Sequence, residues 1–339
     1  MRKSAMARSR AVGFVAPSGF LPDPEAIDRA ATLFAARGWR VQAGDTCFER
    51  HQRFAGTDEL RAAELQRFCS DRSLDLVLCA RGGYGLTRIL DRLDFDAIRR
   101  ARRTICGYSD FTAFNLAYLA RAGGVSLHGP SMTDLGAESP DDWTIDNFFA
   151  VIEGGAYETR FDADGPDCEA RGTLWGGNLA VACALLGTPY FPRPRGGILF
   201  FEDVNEPAYK IERMLLQLAQ AGVLQRQRAL LFGSFDPITP MPNDNGFSFD
   251  EVIRGLRARL AVPVVTGLPF GHVRRKLTLP VGARVRLRVH QGRAVLGWDG
   301  LYFARGATSK RTAPPSDARV TTVPGASVDT QATVSDGDH

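Results

Sequence analysis

The sequence predicts an α/β protein: an N-terminal three-layer unit with a mostly parallel sheet, followed by a smaller C-terminal α/β unit. Three observations predict it. The chain has 339 residues, which is enough for about two domains of roughly 150 residues each. In the first half, short apolar runs alternate with stretches of helical spacing, as in βαβ units that cover both faces of a parallel sheet. From about 135 to 172 the texture breaks into Gly, Asp, Glu and Pro with scattered aromatics, which suits a crossing between domains, and then the alternation resumes.

Taken in order, residues 11–16 (AVGFVA) form a first buried strand. A helix over 23–37 follows, with Ile27, Ala30, Ala31, Phe34 and Ala35 at helical spacing. A strand at 40–43, a helix at 57–70 and a strand at 74–79 come next, the last running into Arg81-Gly82-Gly83-Tyr84-Gly85. Residues 104–106 are another short strand, followed by a turn and a helix at 111–122. The second unit opens with an apolar helix at 176–186 and a strand at 197–201. A helix at 207–221 has Asn205 near its cap, Pro207 in its first turn, and Ile211, Met214, Leu215, Leu218 and Ala219 on one face. Strands are expected at 229–232, 262–266 and the alternating 283–289. The expected division is an extension at 1–10, a first unit at 11–150, a linker at 151–171, a second unit at 172–305, and a disordered tail without periodicity at 306–339.

Composition removes several function classes. The 42 Lys+Arg against 38 Asp+Glu leave a net charge of +4, too small and diffuse to argue nucleic-acid binding. The six cysteines lie at least ten positions apart, without metal-knuckle spacing, and several sit in apolar runs. Buried free thiols in a reducing compartment fit this pattern. No two of the five histidines share a helix turn, so a zinc hydrolase is not expected. The basic N-terminus precedes only six apolar residues and no small-residue cleavage site, and no run approaches the ~20 apolar residues of a membrane span. The expected location is the cytoplasm, with no membrane partner.

In parallel α/β architectures the site lies on loops leaving the C-terminal ends of strands. Four such loops carry polar or glycine-rich groups: Arg81–Gly85, Gly107-Tyr108-Ser109-Asp110, Glu202-Asp203 and Gly271-His272. Ser109 follows a strand and a glycine and precedes an amphipathic helix, which describes an elbow exposing a nucleophile. The literal GxSxG pattern is absent, because Phe111 stands two positions on, and capping by Ser109 or Asp110 is the competing reading. A serine nucleophile needs a base and an orienting acid. His272, in a rigid Gly/Pro loop, and His128, in Ser-Leu-His-Gly-Pro, both remain open as the base. Glu202 ends a strand and could face the cleft, or pair with one of the many arginines. Gly82, Gly83 and Gly85 offer unobstructed backbone N–H groups for an oxyanion, whereas the last glycine of GxGxxG and a P-loop Lys-Ser/Thr are missing.

Seven ordered motifs, RGGYG, GYSD followed by Thr112, LHGP, LWGGNL, FFEDVNEPAYKIERML, GSF and TGLPFGH, make the chain resemble the LD-carboxypeptidase family of serine peptidases over about 11–300. The resemblance implies Ser109 as nucleophile, Glu202 as orienting acid and His272 as base, and so selects His272 over His128. With the nucleophile in the first unit and its partners in the second, it also implies an active site at the domain interface. On the same basis the oxyanion donors are the backbone amides of Asp110 and Gly83, the latter taken in preference to Gly82. Arg81 is the nearest candidate by sequence for the substrate's terminal carboxylate. The implied activity is cleavage between the L-centre of diaminopimelate and a terminal D-alanine during recycling of cell-wall peptides, without cofactor or metal. A peptide or muropeptide is then the partner, and the sequence leaves a homodimer open. Two alternatives stand beside it: a self-immunity hydrolase of peptidyl- or aminoacyl-nucleotide antibiotics, and an inactive muropeptide-binding protein. Retention of serine, histidine and acid together argues against the binder.

Overall fold

The structure is a computed structural model that describes residues 9–301. The expected tail and the first eight residues of the expected extension lie outside the described residues. The chain begins with β1 (Ala11–Val15), β2 (Arg40–Ala43), β3 (Leu76–Cys79), β4 (Thr104–Cys106) and β5 (Ser126–His128). It continues with β6 (Tyr157–Asp162), β7 (Cys168–Asn178), β8 (Ile198–Glu202), β9 (Ala229–Phe232) and β10 (Val264–Val265). The last strands are β11 (Leu279–Val281), β12 (Arg284–His290) and β13 (Arg293–Trp298).

Two sheets result. The first has the order β2-β1-β3-β4-β5-β11, parallel except for β11. Its central strands β1, β3 and β4 are short and buried, as strands covered on both faces must be, while the edge strand β2 is half exposed. Helix Glu25–Ala35 links β1 to β2 on one side of β1, while Asp58–Ser70, Phe95–Ala101 and Thr112–Ala122 carry the chain the other way. Right-handed crossovers therefore put the first helix on one face and the other three on the opposite face. On the first face Phe34 meets Phe14 and Phe148 at ring separations of 5.7 and 6.2 Å; on the other, Phe95 meets Phe114 at 5.9 Å. The strand order reverses between β1 and β3, which opens a crevice outside their carboxyl ends.

The second sheet, β10-β9-β8-β7-β12-β13-β6, is parallel in one half and antiparallel in the other. β7 serves both halves, pairing through Cys168–Thr173 with β12 and through Leu174–Asn178 with β8. β12 alternates exposed and buried residues, as its sequence predicts.

The first-half elements that the patterns predict form where expected, within two or three residues at each end, while helix Phe95–Ala101 and strand β5 are not anticipated by them. Other segments differ. The stretch with the texture of a crossing contains helix Asp142–Ile152, the strand β6 and the start of β7. β6 buries only Thr159 and Phe161 on one face, so its alternation is diluted by Glu158, Arg160 and Asp162 on the wet face. The helix expected from 176 starts at Leu179, because Trp175–Asn178 complete β7 and Gly176 and Gly177 stand at φ +131° and +133°. Asn205 does not cap the helix Ala208–Gln220, whose N-cap is Pro207 without a side-chain bond. The chain after His272 leaves the second sheet and adds β11 to the edge of the first.

Candidate active site

β4 ends at Cys106, and the chain turns through Gly107 and Tyr108 into a 3₁₀ turn, Ser109–Phe111, and then helix Thr112–Ala122. Ser109 stands at φ +62°, a left-handed conformation that costs a residue with a Cβ about 1–2 kcal/mol. The surroundings impose it: Gly107 N–H donates to the Leu127 carbonyl and Phe111 N–H to the Tyr108 carbonyl, each at 3.1 Å, and the Phe111 ring is fully buried. No side chain caps this turn or the helix after it, so capping is not the task of Ser109 or Asp110.

Ser109 Oγ lies 2.9 Å from His272 Nε2, and His272 Nδ1 lies 2.7 Å from Glu202 Oε2. These partners assign the tautomer: Nδ1–H donates to the carboxylate, and Nε2 accepts from the serine hydroxyl. Glu202 is the last residue of β8 and fully buried, and its Oε1 has no hydrogen-bond partner among the described residues, so His272 is the one side chain that meets its charge directly. Asp203 braces the turn behind it, accepting from Asn178 Nδ2 at 2.8 Å and from the Ala180 and Val204 N–H groups at 2.9 Å. Burial raises the Asp203 carboxyl above its usual range despite these bonds.

His272 is carried by the loop after β10. Ser234 N–H donates to the Phe270 carbonyl at 2.8 Å and Leu277 N–H to the Pro269 carbonyl at 2.9 Å, which holds both flanks. The Tyr108 ring packs against the imidazole with centroids 5.1 Å apart. The Tyr108 hydroxyl accepts from Lys276 Nζ at 3.1 Å, and Lys276, almost wholly buried, pairs with Asp134 at 2.5 Å. Burial first, and Asp134 next, raise the Tyr108 hydroxyl well above its usual range. Across the seam between the two sheets, Asn178 N–H donates to Thr112 Oγ1 at 3.0 Å. Gly177 permits this approach: a Cβ there would lie 2.6 Å from Thr112 Oγ1 and 2.8 Å from His128 Cε1.

The rival histidine is differently placed. His128 is fully buried, accepts at Nδ1 from Asn115 Nδ2 at 3.2 Å, and leaves Nε2 without a partner among the described residues. Burial pushes its pKa down to about 3, so it stays neutral at physiological pH.

The glycine-rich loop meets the serine turn directly. A Cβ on Gly82 would lie 2.6 Å from Ser109 Cβ, 2.8 Å from its Oγ and 3.4 Å from the Asp110 nitrogen. The Gly82 carbonyl accepts from Gly19 N–H at 3.1 Å. In a planar trans peptide the Gly83 N–H points the opposite way, away from Gly19. Arg81 folds back along this loop, where Nη1 donates to the Phe20 carbonyl at 2.8 Å. Gly82→Ala is accordingly expected to lower kcat about 100-fold, by pushing the serine side chain off its position, with little change in thermal stability; kinetics and a melting curve on one preparation check both.

Comparison with known proteins gives the family. The model of the LD-carboxypeptidase N-terminal domain matches residues 12–129, and that of the C-terminal domain matches 171–287. The chain belongs to the LD-carboxypeptidase family. It is therefore a serine carboxypeptidase by family. A probable murein peptide carboxypeptidase of Bacillus subtilis is 31% identical over 304 residues, covering 87% of this chain and 94% of the relative. The crystal structure of muramoyltetrapeptide carboxypeptidase from Oxalobacter formigenes is 38% identical with a TM-score of 0.80, covering 85% of this chain and 98% of that one. The microcin C7 self immunity protein MccF, solved with glutamyl sulfamoyl guanosine, shares the fold with a TM-score of 0.79 at 21% identity, over 87% of this chain and 98% of that one.

Within the LD-carboxypeptidase fold seen here, Ser109, Glu202, His272, Asp110 and Gly82 come together, with Gly83 and Arg81 on the same glycine loop and Gly83 set against Gly19. Sequence reasoning did not single out Ser18, Arg61 and Lys276 as neighbours of the site, and it named Tyr108, Thr112 and Asp203 only as members of their loops and motifs. LWGGNL and Thr112, two positions after GYSD, signalled one of these contacts, since a glycine pair and a hydroxyl meet at the seam. Among the described residues, no helix is long and apolar enough to cross a membrane, and no three His, Cys, Asp or Glu side chains are grouped to hold a metal ion.

Proposed function

We propose that the protein is a cytoplasmic LD-carboxypeptidase that hydrolyses the amide between the L-centre of diaminopimelate and the terminal D-alanine of murein tetrapeptides, in peptidoglycan recycling. The single observation that carries the reading is the unbroken chain from Ser109 Oγ through both nitrogens of His272 to a buried Glu202, with spacings of 2.9 and 2.7 Å. His272 Nε2 takes the hydroxyl proton as Oγ bonds to the scissile carbonyl carbon. The N–H groups of Asp110 and Gly83 receive the oxyanion that forms. As the tetrahedral species collapses, the C–N bond breaks and His272 gives its proton to the departing D-alanine amine. Water, deprotonated by the same nitrogen, then attacks the acyl-enzyme and releases the tripeptide acid and Ser109. Glu202 holds the imidazole in the tautomer with hydrogen on Nδ1 and stabilises the imidazolium between the two transfers. Arg81 is the proposed partner of the terminal carboxylate.

Stereochemistry supplies the test. Ser109 and the amide donors stand on rigid strand ends, so inverting the centre that bears the scissile carbonyl would turn that carbonyl away from both. Misplacement by about 1 Å already costs ~100-fold. D-Alanine release is expected from a tetrapeptide ending in diaminopimelyl-D-alanine and not from the matching pentapeptide ending in D-alanyl-D-alanine, followed by mass spectrometry. Comparable release from the pentapeptide would refute LD-specificity. Release from neither peptide, with cleavage of an aminoacyl sulfamoyl nucleoside, would move the function to self-immunity hydrolysis.

A further inference from the structure

Asp110 follows the proposed nucleophile, and its carboxylate has no part in the reaction written above. It does not cap its own helix either. The side chain is buried, and its Oδ2 accepts from Ser18 Oγ at 2.6 Å and from Leu86 N–H at 2.9 Å. Ser18 lies on the loop leaving β1, and Leu86 closes the glycine-rich loop leaving β3. Arg61, fully buried on helix Asp58–Ser70, joins the same two loops through other atoms. Its Nη1 donates to the Pro17 carbonyl and, at 3.1 Å, to the Gly85 carbonyl, while Nη2 is held by Asp58. A carboxylate and a guanidinium thus each tie residues 17–18 to residues 85–86.

Burying two charged side chains is costly, and apolar residues of similar volume would serve packing at least as well. The loop they hold has three glycines, with Gly83 and Gly85 at φ +107° and +139°, and glycines bring no side chains with which to pin themselves. An oxyanion donor acts only when its N–H is fixed within a few tenths of an ångström of the developing charge. We infer that the Asp110 carboxylate, together with Arg61, is a positioning device: it locks the glycine-rich loop to the loop after β1 and so sets the distance between the loop's amides and Ser109 Oγ. The inference rests on the proposed role of Ser109 as nucleophile.

The test uses the full-length protein and a fluorophosphonate, which needs the same donors but no knowledge of the natural substrate. Ser109 Oγ bonds to phosphorus as fluoride leaves, His272 takes the hydroxyl proton, and the phosphoryl oxygen occupies the oxyanion position. Rates are expressed per folded molecule. Asp110→Ala is expected to lower the labelling rate about 100-fold, and Ser18→Ala about tenfold. Asp110→Asn keeps an oxygen that can accept both bonds and is expected to recover to within about fivefold of the parent. A purely structural carboxylate would lower melting temperatures and leave labelling per folded molecule unchanged. Asp110→Ala within threefold of the parent, or Asp110→Asn no better than Asp110→Ala, overturns the inference while Ser109→Ala remains unlabelled. Should Asp110→Ala fail to fold, Ser18→Ala within twofold of the parent overturns it. Labelling of Ser109→Ala at the parent rate would instead remove the nucleophile reading, and this inference with it.

Discussion

Ser109→Ala is expected to abolish hydrolysis, with a loss on the order of 10⁴-fold or more, while the protein stays folded. The substitution is close to neutral for the backbone. Serine already carries a Cβ at φ +62°, so alanine meets the same strain there and the elbow keeps its shape. What disappears is one hydroxyl and its bond to His272 Nε2. Without Oγ no acyl-enzyme forms, and the remaining catalysis is what the oxyanion donors and substrate binding supply to a water molecule. Turnover assays beside a melting curve decide it: activity within tenfold of the parent would remove Ser109 from the nucleophile's role.

The two candidate histidines are expected to separate sharply. His272→Ala should cost on the order of 10⁴-fold or more in kcat, because every proton in the proposed reaction passes through Nε2. His128→Ala should leave kcat per folded molecule nearly unchanged. His128 is neutral, takes its hydrogen bond from Asn115, and packs its ring 4.7 Å from Phe270 and 5.3 Å from Phe200. Removing it opens a cavity in the core, for which large-to-small changes cost about 2–5 kcal/mol. Its signature is therefore a lower melting temperature. Equal, modest losses of activity in the two variants would return the base to open competition.

Most of the first sheet, β1 to β4 with the helices between and after them apart from Phe95–Ala101, was readable because those elements carry their own signals. The runs at 11–16 and 76–79 are apolar on both faces, and the helix Glu25–Ala35 shows its stripe of Ile27, Ala30 and Phe34 within three turns. The motif order likewise made Ser109, Glu202 and His272 legible as a set, before any coordinate placed them. The residues alone had left His128 and His272 undecided, since burial is a property of surroundings and a tripeptide such as Leu-His-Gly does not reveal it.

Long-range pairing was not legible. Nothing local in Leu279–Val281 says that it crosses back to pair with Ser126–His128, and only that return carries the chain from His272 to the edge of the first sheet. The same holds for β7, whose two halves choose antiparallel β12 and parallel β8. Hydrophobic periodicity is written over a few consecutive residues, so it specified the elements and the loops where chemistry could sit. Distances such as 2.9 Å between Ser109 and His272, or the junction of Ser18, Arg61 and Leu86 around Asp110, join residues up to 163 positions apart. They exist only once two sheets have packed, because packing, and not spacing along the chain, decides which side chains share a few cubic ångströms.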